Sequence, residues 1–467
     1  MFAADLFLYR ACCGIIILQW QKGTVGMRLT RRDLGLRALY NFGDDMGKGR
    51  CTMLFSVVAQ NVIAWMTGSL FYTSFLLHNG INLVNIGIIT AIPLLSNVIA
   101  VFSPFILESF PRRRYLLMAG RITYYTLNLL CITLVPEIFR DPSARVTAFV
   151  VLLFTANIVN AMCGCGYTVW HLNFIPGDLR AGYFASSTRI AYFFGLGLGV
   201  VSAFIADSFS GSPHEYTVVV ALRYIAYALG ITEAILLALP REFPYPQTNK
   251  PRFTDIVTKP LKHPKFRMTM VIMFIYCMGQ NVSSGALSAY LLDQAHVTFT
   301  FVQLINFMYP VFMTIFARSS TNTIRRLGWY RTFALYTFIQ FPTTIAYACV
   351  NASNVWILLP VVRLTQHWMG ATANVAAQNI PFLNAPRENQ SNYISFNAIT
   401  SNLGAFLGVS LGTAFIKYNP GLDWNVLGFH FCNVQALVLA WAAFQIIIPA
   451  VTMLLLKKYR LEEVQST

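Results

Sequence analysis

The chain has 467 residues, 56% of them hydrophobic and only 11% charged, against roughly 25% charged in an ordinary soluble domain. So few charges cannot cover the surface of a water-soluble fold of this length, so lipid must be much of its solvent. The formal charge of +16 does not indicate a nucleic-acid partner, because the basic residues fall in short clusters between apolar runs and form no continuous basic face.

The first 26 residues stand apart from the rest. Ala11 to Trp20 is apolar but too short to span a bilayer, and no small-residue cleavage site follows it, which argues against a signal peptide. Met27 opens a basic stretch with Arg28, Arg31 and Arg32, so residues 1–26 read as an over-extended start that adds nothing to function.

A helix needs about 20 apolar residues to cross a bilayer. Twelve segments reach that length: 53–77, 85–107, 115–137, 147–171, 186–208, 217–239, 268–292, 299–318, 329–350, 355–378, 392–416 and 431–456. Only helices or closed barrels satisfy their backbone groups in lipid, and runs this long exclude barrel strands. The segments are therefore numbered helix 1 to helix 12. With the N-terminus inside, the inner segments hold about 25 basic residues from Met27 onward and the outer loops about three, Arg140, Arg145 and Lys417. That asymmetry places both termini in the cytoplasm of a multi-pass cell-membrane protein.

Pro240 to Arg267 is the longest polar interruption, with prolines at 240, 244, 246, 251, 260 and 264. Its composition fits a cytoplasmic linker. The expected organisation is a cytoplasmic segment 1–52, a six-helix bundle 53–239, the linker 240–267, a second bundle 268–456 and a tail 457–467.

An internal repeat supports the division. Pro176 and Tyr183 precede a helix carrying Gly195 and Gly199; Pro386 and Tyr393, about 210 residues on, precede one carrying Gly404 and Gly408. Arg112-Arg113 before helix 3 likewise answers Arg325-Arg326 before helix 9. The glycines at 195, 197 and 199, and at 404, 408 and 412, permit close helix approach. The nine cysteines form no CxxC pair and no Cys/His spacing suited to a tetrahedral metal site. No metal site or cofactor is expected, and no sequence for ATP hydrolysis or nucleophilic catalysis is present. Of the Asn-x-Ser triplets at 281, 351 and 389, only Asn351 lies where glycosylation could reach it.

Two six-helix halves, a basic cytoplasmic centre and matched arginine loops resemble the major facilitator superfamily, and the resemblance runs from Met27 to the C-terminus. It implies an all-α membrane protein with twelve transmembrane helices in two pseudo-symmetric six-helix bundles. In that family the loop between helices 2 and 3 carries a Gly, an Asp and several basic residues. Here the stretch is Glu108-Ser109-Phe110-Pro111-Arg112-Arg113-Arg114, followed by Arg121. The basic half is present, the Asp is absent, and Glu108 is its stand-in. The Gly-Pro pair of antiporters is missing from helix 5.

The resemblance also implies that helices 1, 4, 7 and 10 line a substrate cavity near the bilayer midplane. Independently, polar side chains at such depth are costly and face a bundle interior. They concentrate in those four segments: Gln60, Asn61 and Trp65; Asn157, Asn160 and Tyr167; Tyr276, Gln280, Asn281 and Ser284; Arg363, Gln366, His367 and Asn374. Interhelical hydrogen bonding is the competing explanation for each amide. The substrate-binding candidates are Gln60, Asn61, Trp65, Asn157, Asn160, Gln280, Asn281, Ser284, Arg363 and His367.

Arg363 is the most informative, because a guanidinium stays charged and presents a planar fork to carboxylate or phosphate. Intramembrane acids are scarce, with Glu233 the main candidate, which leaves Arg363 available to an anionic solute. His367 follows by four residues and shares its helix face, so the pair is expected to look across at Asn157, Asn160 and Gln60 or Asn61. Arg112, Arg113, Arg114, Arg121, Arg189, Arg325 and Arg326 read as gating or structural residues at the cytoplasmic ends of helices.

The leading reading is therefore a secondary active transporter that moves a small polar or anionic solute by alternating access, coupled to H⁺ or Na⁺, as a monomer in the lipid bilayer. A membrane-embedded enzyme such as a lipid transferase would need paired carboxylates or a His/Asp cluster at one membrane face, and none is visible. A non-transporting sensor or scaffold on the same fold is the third reading, favoured by the incomplete loop motif.

Overall fold

The computed structural model describes residues 40, 42–103, 107, 110, 112–176, 180–242, 253–386, 390–426 and 429–461. The expectations for residues 1–39, for Glu108, for the 243–252 part of the linker, for Asn389 and for the last residues of the tail lie outside them. The described residues build an all-α membrane protein of twelve helical rods, six on each side of the linker.

Helix 1 is two helices, Asp45–Thr67 and Ser69–His78, bent by 41° where they meet. Helix 2 is Leu83–Val98 with a further 3₁₀ turn, Ile99–Phe102. Helix 3 runs Arg114–Tyr125, passes through a π turn, Thr126–Cys131, and ends as Ile132–Ile138. Helices 4, 5 and 6 are Pro142–Asn173, Arg180–Ser208 and Glu215–Leu237. Helix 7 is broken into Pro264–Asn281 and Ser284–Asp293. Helix 8 is Phe299–Leu327, and helix 9 is Trp329–Ile339 followed by Phe341–Ala348. Helices 10, 11 and 12 are Val355–Leu383, Gln390–Tyr418 and Asn433–Tyr459. Seven described helices are long and apolar enough on their own to cross a membrane, and the bent pair of helix 1 makes an eighth. Of the other four rods, helix 3 is interrupted by a π turn and helix 9 by a short break, helix 2 is a shorter apolar helix, and helix 10 is continuous.

Two elements differ from the sequence expectation. The linker is not wholly irregular: Phe253–Lys262 is a helix with Ile256 buried on one side and Lys259 and Lys262 in its last turn. Such an amphipathic pattern is helical even in a proline-rich segment, since its Pro260 falls near the end. Between helices 11 and 12, strands β1 (Asp423–Val426) and β2 (Phe429–Cys432) form an antiparallel hairpin. Opposite each other in it, the Trp424 and Phe431 rings stack at 5.6 Å. Such cross-strand aromatic pairs stabilise a short ribbon.

The chain divides into two compact units. Unit 1 holds residues up to Phe75 and Ile99–Pro251; unit 2 holds Leu76–Val98 and Arg252–Thr467. In unit 1, a core of Met53, Leu107, Leu117, Tyr167, Trp170, Phe174, Tyr183 and Leu237 joins helices 1, 3, 4, 5 and 6 at the end where helix 3 begins. Arg50, buried there, donates to the Phe174 carbonyl just beyond helix 4 at 3.2 Å, a cation placed where a helix C-terminus favours it.

In unit 2 the close contacts are made by glycines. A Cβ at Gly404, Gly408 or Gly412 would stand 2.5, 2.2 and 2.0 Å from the carbonyl oxygens of Phe274, Met278 and Val282. Both rows advance by four residues, so one i±4 ridge of helix 11 lies along one of helix 7, and only missing side chains permit that approach. Helix 2 joins the same unit through Gly87, where a Cβ would meet Thr413, and through Thr90, which fills the space over Gly285. Away from these, the Val350 carbonyl accepts from Tyr290 at 2.8 Å and Gln435 at 2.9 Å, tying helices 7, 9 and 12 together.

Candidate functional site

The breaks in helix 1 and helix 7 fall in corresponding places. Helix 1 stops at Thr67, and Ser69 restarts it with φ of 48°; helix 7 stops at Asn281 and restarts at Ser284. The interruptions lie at nearly the offset of the Pro–Tyr repeat, and paired interruptions of this kind accompany ligand sites in duplicated transporters. Candidate residues flank both. Gln60 donates to the Ser56 hydroxyl at 2.9 Å, and Asn61 to the Val57 carbonyl at 2.9 Å. Asn61 and Trp65 lie against Gly195 of helix 5, whose missing side chain makes room for them. Asn281 donates to the Cys277 carbonyl at 2.8 Å, Ser284 donates to the Asn281 carbonyl at 3.1 Å, and Gln280 is half-buried.

Unit 1 brings several of the remaining candidates into one buried network. Arg121 of helix 3 donates to Asn160 of helix 4 at 3.2 Å and lies over the Tyr167 ring at 4.0 Å. Its Nε is 3.7 Å from Glu233 of helix 6, which is fully buried. The other oxygen of Glu233 accepts from the Ser56 hydroxyl of helix 1. Glu233 is therefore engaged by Arg121 and Ser56. Asn157, also buried, turns to its own helix and donates to the Leu153 carbonyl at 2.8 Å.

Another buried guanidinium, Arg223 of helix 6, is 3% exposed and was not among the candidates. It donates to the Asn128 carbonyl at 2.8 Å and to the Thr133 hydroxyl at 2.7 Å, and lies 4.7 Å from the Phe75 ring. Asn128 belongs to the π turn of helix 3. A π turn puts the local carbonyls out of register with the i−4 ladder, and Arg223 supplies the missing donor. The signal was available: Arg223 is a lone charge inside an apolar run, as Arg363 is.

In unit 2, Arg363, His367 and Asn374 share one stripe of helix 10, being four and seven residues apart. Arg363 is half-buried, donates to Gln366 at 3.1 Å and stands 5.7 Å from the Tyr347 ring. It makes no ion pair among the described residues. Gln366 in turn donates to Thr344 of helix 9 at 3.1 Å. His367 is buried against Tyr309 of helix 8, ring to ring at 5.4 Å, and its Nε2 has no hydrogen-bond partner among the described residues. Asn374 donates to Tyr309 at 2.8 Å and accepts from Tyr276 at 3.3 Å. A cation, an unengaged imidazole nitrogen and an amide held by two phenols thus follow one another along the stripe.

The arginine loops of the two halves are built differently. At the start of helix 3, Glu242 accepts from the backbone N–H of Arg113 and, at 2.9 Å, of Arg114. A carboxylate there satisfies orphan donors and complements the helix dipole. Arg114 also donates to the Pro240 carbonyl at 3.4 Å and the Tyr115 hydroxyl at 2.9 Å, while Arg112 is exposed. Arg325 and Arg326 lie exposed in the last turn of helix 8, where cations suit the C-terminal dipole. Gly328, with φ of 86°, is the single residue between helices 8 and 9. Arg189 of helix 5 is exposed.

Comparison with known proteins places this architecture. No curated protein matches the chain. Among solved structures, the nucleoside transporter NupG superimposes with a TM-score of 0.66 at 10% identity, over 87% of this chain and 99% of its own. A bacterial homologue of the iron transporter ferroportin, in an inward-facing state, gives 0.62 at 13% identity, over 89% and 99%. The fucose:proton symporter FucP of E. coli gives 0.51 at 15% identity, over 87% and 97%. At these identities the likeness is one of fold. Residues 269–464 match the Major Facilitator Superfamily family model. The second half of the chain thus carries the sequence pattern of the Major Facilitator Superfamily, and the chain shares the fold of these solved transporters.

Proposed function

We propose that this protein is a secondary active transporter that moves a small polar or anionic solute across the cell membrane by alternating access. The observation that carries the reading is the paired interruption of helices 1 and 7, each beside polar side chains held within a span. Arg363 sets the solute class. A half-buried guanidinium in a membrane helix calls for an anion, and its partners here are the neutral Gln366 and the Tyr347 ring. On this reading Gln60, Asn61, Trp65, Asn157, Asn160, Gln280, Asn281, Ser284, Arg363 and His367 contribute to solute binding, and the basic residues at the helix ends to gating. Transport is coupled to H⁺ or Na⁺, the protein works as a monomer, and both termini and the 240–267 linker are cytoplasmic.

A panel of small carboxylates, phosphate esters, nucleosides and sugars tested for counterflow in proteoliposomes decides the matter. An anionic member should exchange across the membrane. Arg363→Lys keeps the charge but loses the fork, and should weaken that exchange by about tenfold or more, the equivalent of a charged hydrogen bond of roughly 1.5–3 kcal/mol. Counterflow of neutral solutes alone, unaffected by Arg363→Lys, would remove the anionic reading. Absence of counterflow for every class would remove transport.

A further inference from the structure

Arg223 carries a charge that no neighbouring residue cancels. Helix 3 offers it the Asn128 carbonyl and the Thr133 hydroxyl, both neutral acceptors. Helix 1 offers it the rings of Phe75 and Tyr72, at 4.7 and 5.6 Å. The acids on helices 3 and 6 are engaged elsewhere or face outward. Glu233 meets Arg121 and Ser56, Glu215 accepts from the Gly211 N–H at 2.8 Å, and Glu137 is exposed. Among the described residues Arg223 makes no ion pair, and no hydrogen bond beyond the two to helix 3.

A guanidinium has five N–H donors and keeps its proton at any reachable pH, so burial leaves Arg223 both charged and short of acceptors. The quadrupole of a ring offsets only part of such a charge, and a charge buried in a protein is normally paired. The phenol of Tyr72 adds a second observation. Its Oη is shut off from solvent and has no hydrogen-bond partner among the described residues, although buried polar groups are nearly always engaged. A full positive charge, unspent N–H bonds and an unspent O–H thus lie together with no acceptor left for them. That is the chemistry of an anion site.

Size and charge narrow the anion. Arg223 and Tyr72 are 3% and 4% exposed. A lipid phosphate or an organic acid would have to bring the rest of its molecule into a closed place, while a monoatomic ion brings nothing else. Water would accept from the same donors but leave the charge uncompensated. We propose that Arg223 and Tyr72 bind a halide ion, chloride under ordinary conditions, inside the first half of the chain. The ion accepts from the guanidinium and the phenol while Asn128 and Thr133 keep their bonds to Arg223. It thereby ties helices 1, 3 and 6 together through one buried charge pair. Neither residue is among the solute-binding candidates.

Thermal unfolding of the whole protein in lipid nanodiscs tests this without any solute. In sodium gluconate progressively replaced by sodium chloride at constant ionic strength, the melting temperature should rise and saturate, as for any ligand that binds the folded state. Sodium bromide should act in the same way. Tyr72→Phe keeps the ring and loses the O–H, and should raise the half-saturating chloride concentration by about tenfold, the loss of one hydrogen bond to an ion. Arg223→Met should abolish the dependence; should it fail to fold, Tyr72→Phe still decides. In crystals soaked in bromide, an anomalous peak should stand beside Arg223. A melting temperature indifferent to chloride overturns the site. So does a wild-type chloride response in Tyr72→Phe, or bromide peaks found only elsewhere.

Discussion

Single charged residues carry most of the functional information in this chain, and burial sorts them. Arg223 is committed to the π turn of helix 3. Replacing it with Met, which keeps the length but loses the donors, should leave the Asn128 carbonyl unsatisfied and cost about 3 kcal/mol, read as a lowered melting temperature in detergent. Asp141, at the start of helix 4, accepts from the Ser143 hydroxyl at 2.6 Å and the Ala144 N–H at 2.9 Å. These bonds favour its charged form and hold its carboxyl below the ordinary 3.8. A group depressed in the folded state contributes stability above its unfolded pKa and loses it as pH falls through the folded one. The difference in melting temperature between the wild type and Asp141→Ala should therefore be present at neutral pH and disappear under strongly acid conditions. The sequence exposed Arg363 and Glu233 as isolated charges in apolar runs. It did not show that Glu233 faces Arg121, because that pairing joins residues more than a hundred positions apart.

At the scale of elements, the interruptions matter as much as the helices. The glycine row of helix 11 was legible from spacing alone, but its partner was not. The structure shows it to be the carbonyl row of Phe274, Met278 and Val282, which ends at the break in helix 7. Gly408→Ala would place a methyl 2.2 Å from the Met278 oxygen, and the two helices would have to separate. Overpacking of this kind costs about 1–3 kcal/mol. Gly197→Ala, with no atom within 4 Å of its would-be Cβ, should be neutral or slightly stabilising in the same thermal assay. The breaks at Gly68 and Val282–Ser283 were not read from the sequence, since a kinked helix and a straight one have the same apolar composition.

For the whole molecule, the repeat and the charge asymmetry make one prediction about orientation. In a background freed of native cysteines, Ser353→Cys in the turn between helices 9 and 10 should react with an impermeant maleimide from outside intact cells. Leu327→Cys, at the turn between helices 8 and 9, should react only after permeabilisation. Both positions are exposed, so access to one side decides the outcome. The opposite pattern would reverse the topology drawn from Lys and Arg. The two halves repeat in helix count and in the interruptions of helices 1 and 7. They differ in their arginine loops, where Glu242 caps helix 3 while Arg325 and Arg326 remain exposed.

By itself the sequence determined the solvent, the helical class and the count of twelve rods, because each follows from local quantities. Apolar length must match the bilayer, and backbone groups in lipid must be satisfied within the segment. The tertiary structure alone decided which charges are paired and which meet neutral groups. It set Arg121 on Glu233, Arg223 on the π turn of helix 3 and, among the described residues, Arg363 on Gln366 and the Tyr347 ring. The physical reason is that a buried charge is governed by whatever lies within a few ångströms of it, and in a folded bundle those neighbours come from other helices, at separations along the chain that no local pattern encodes.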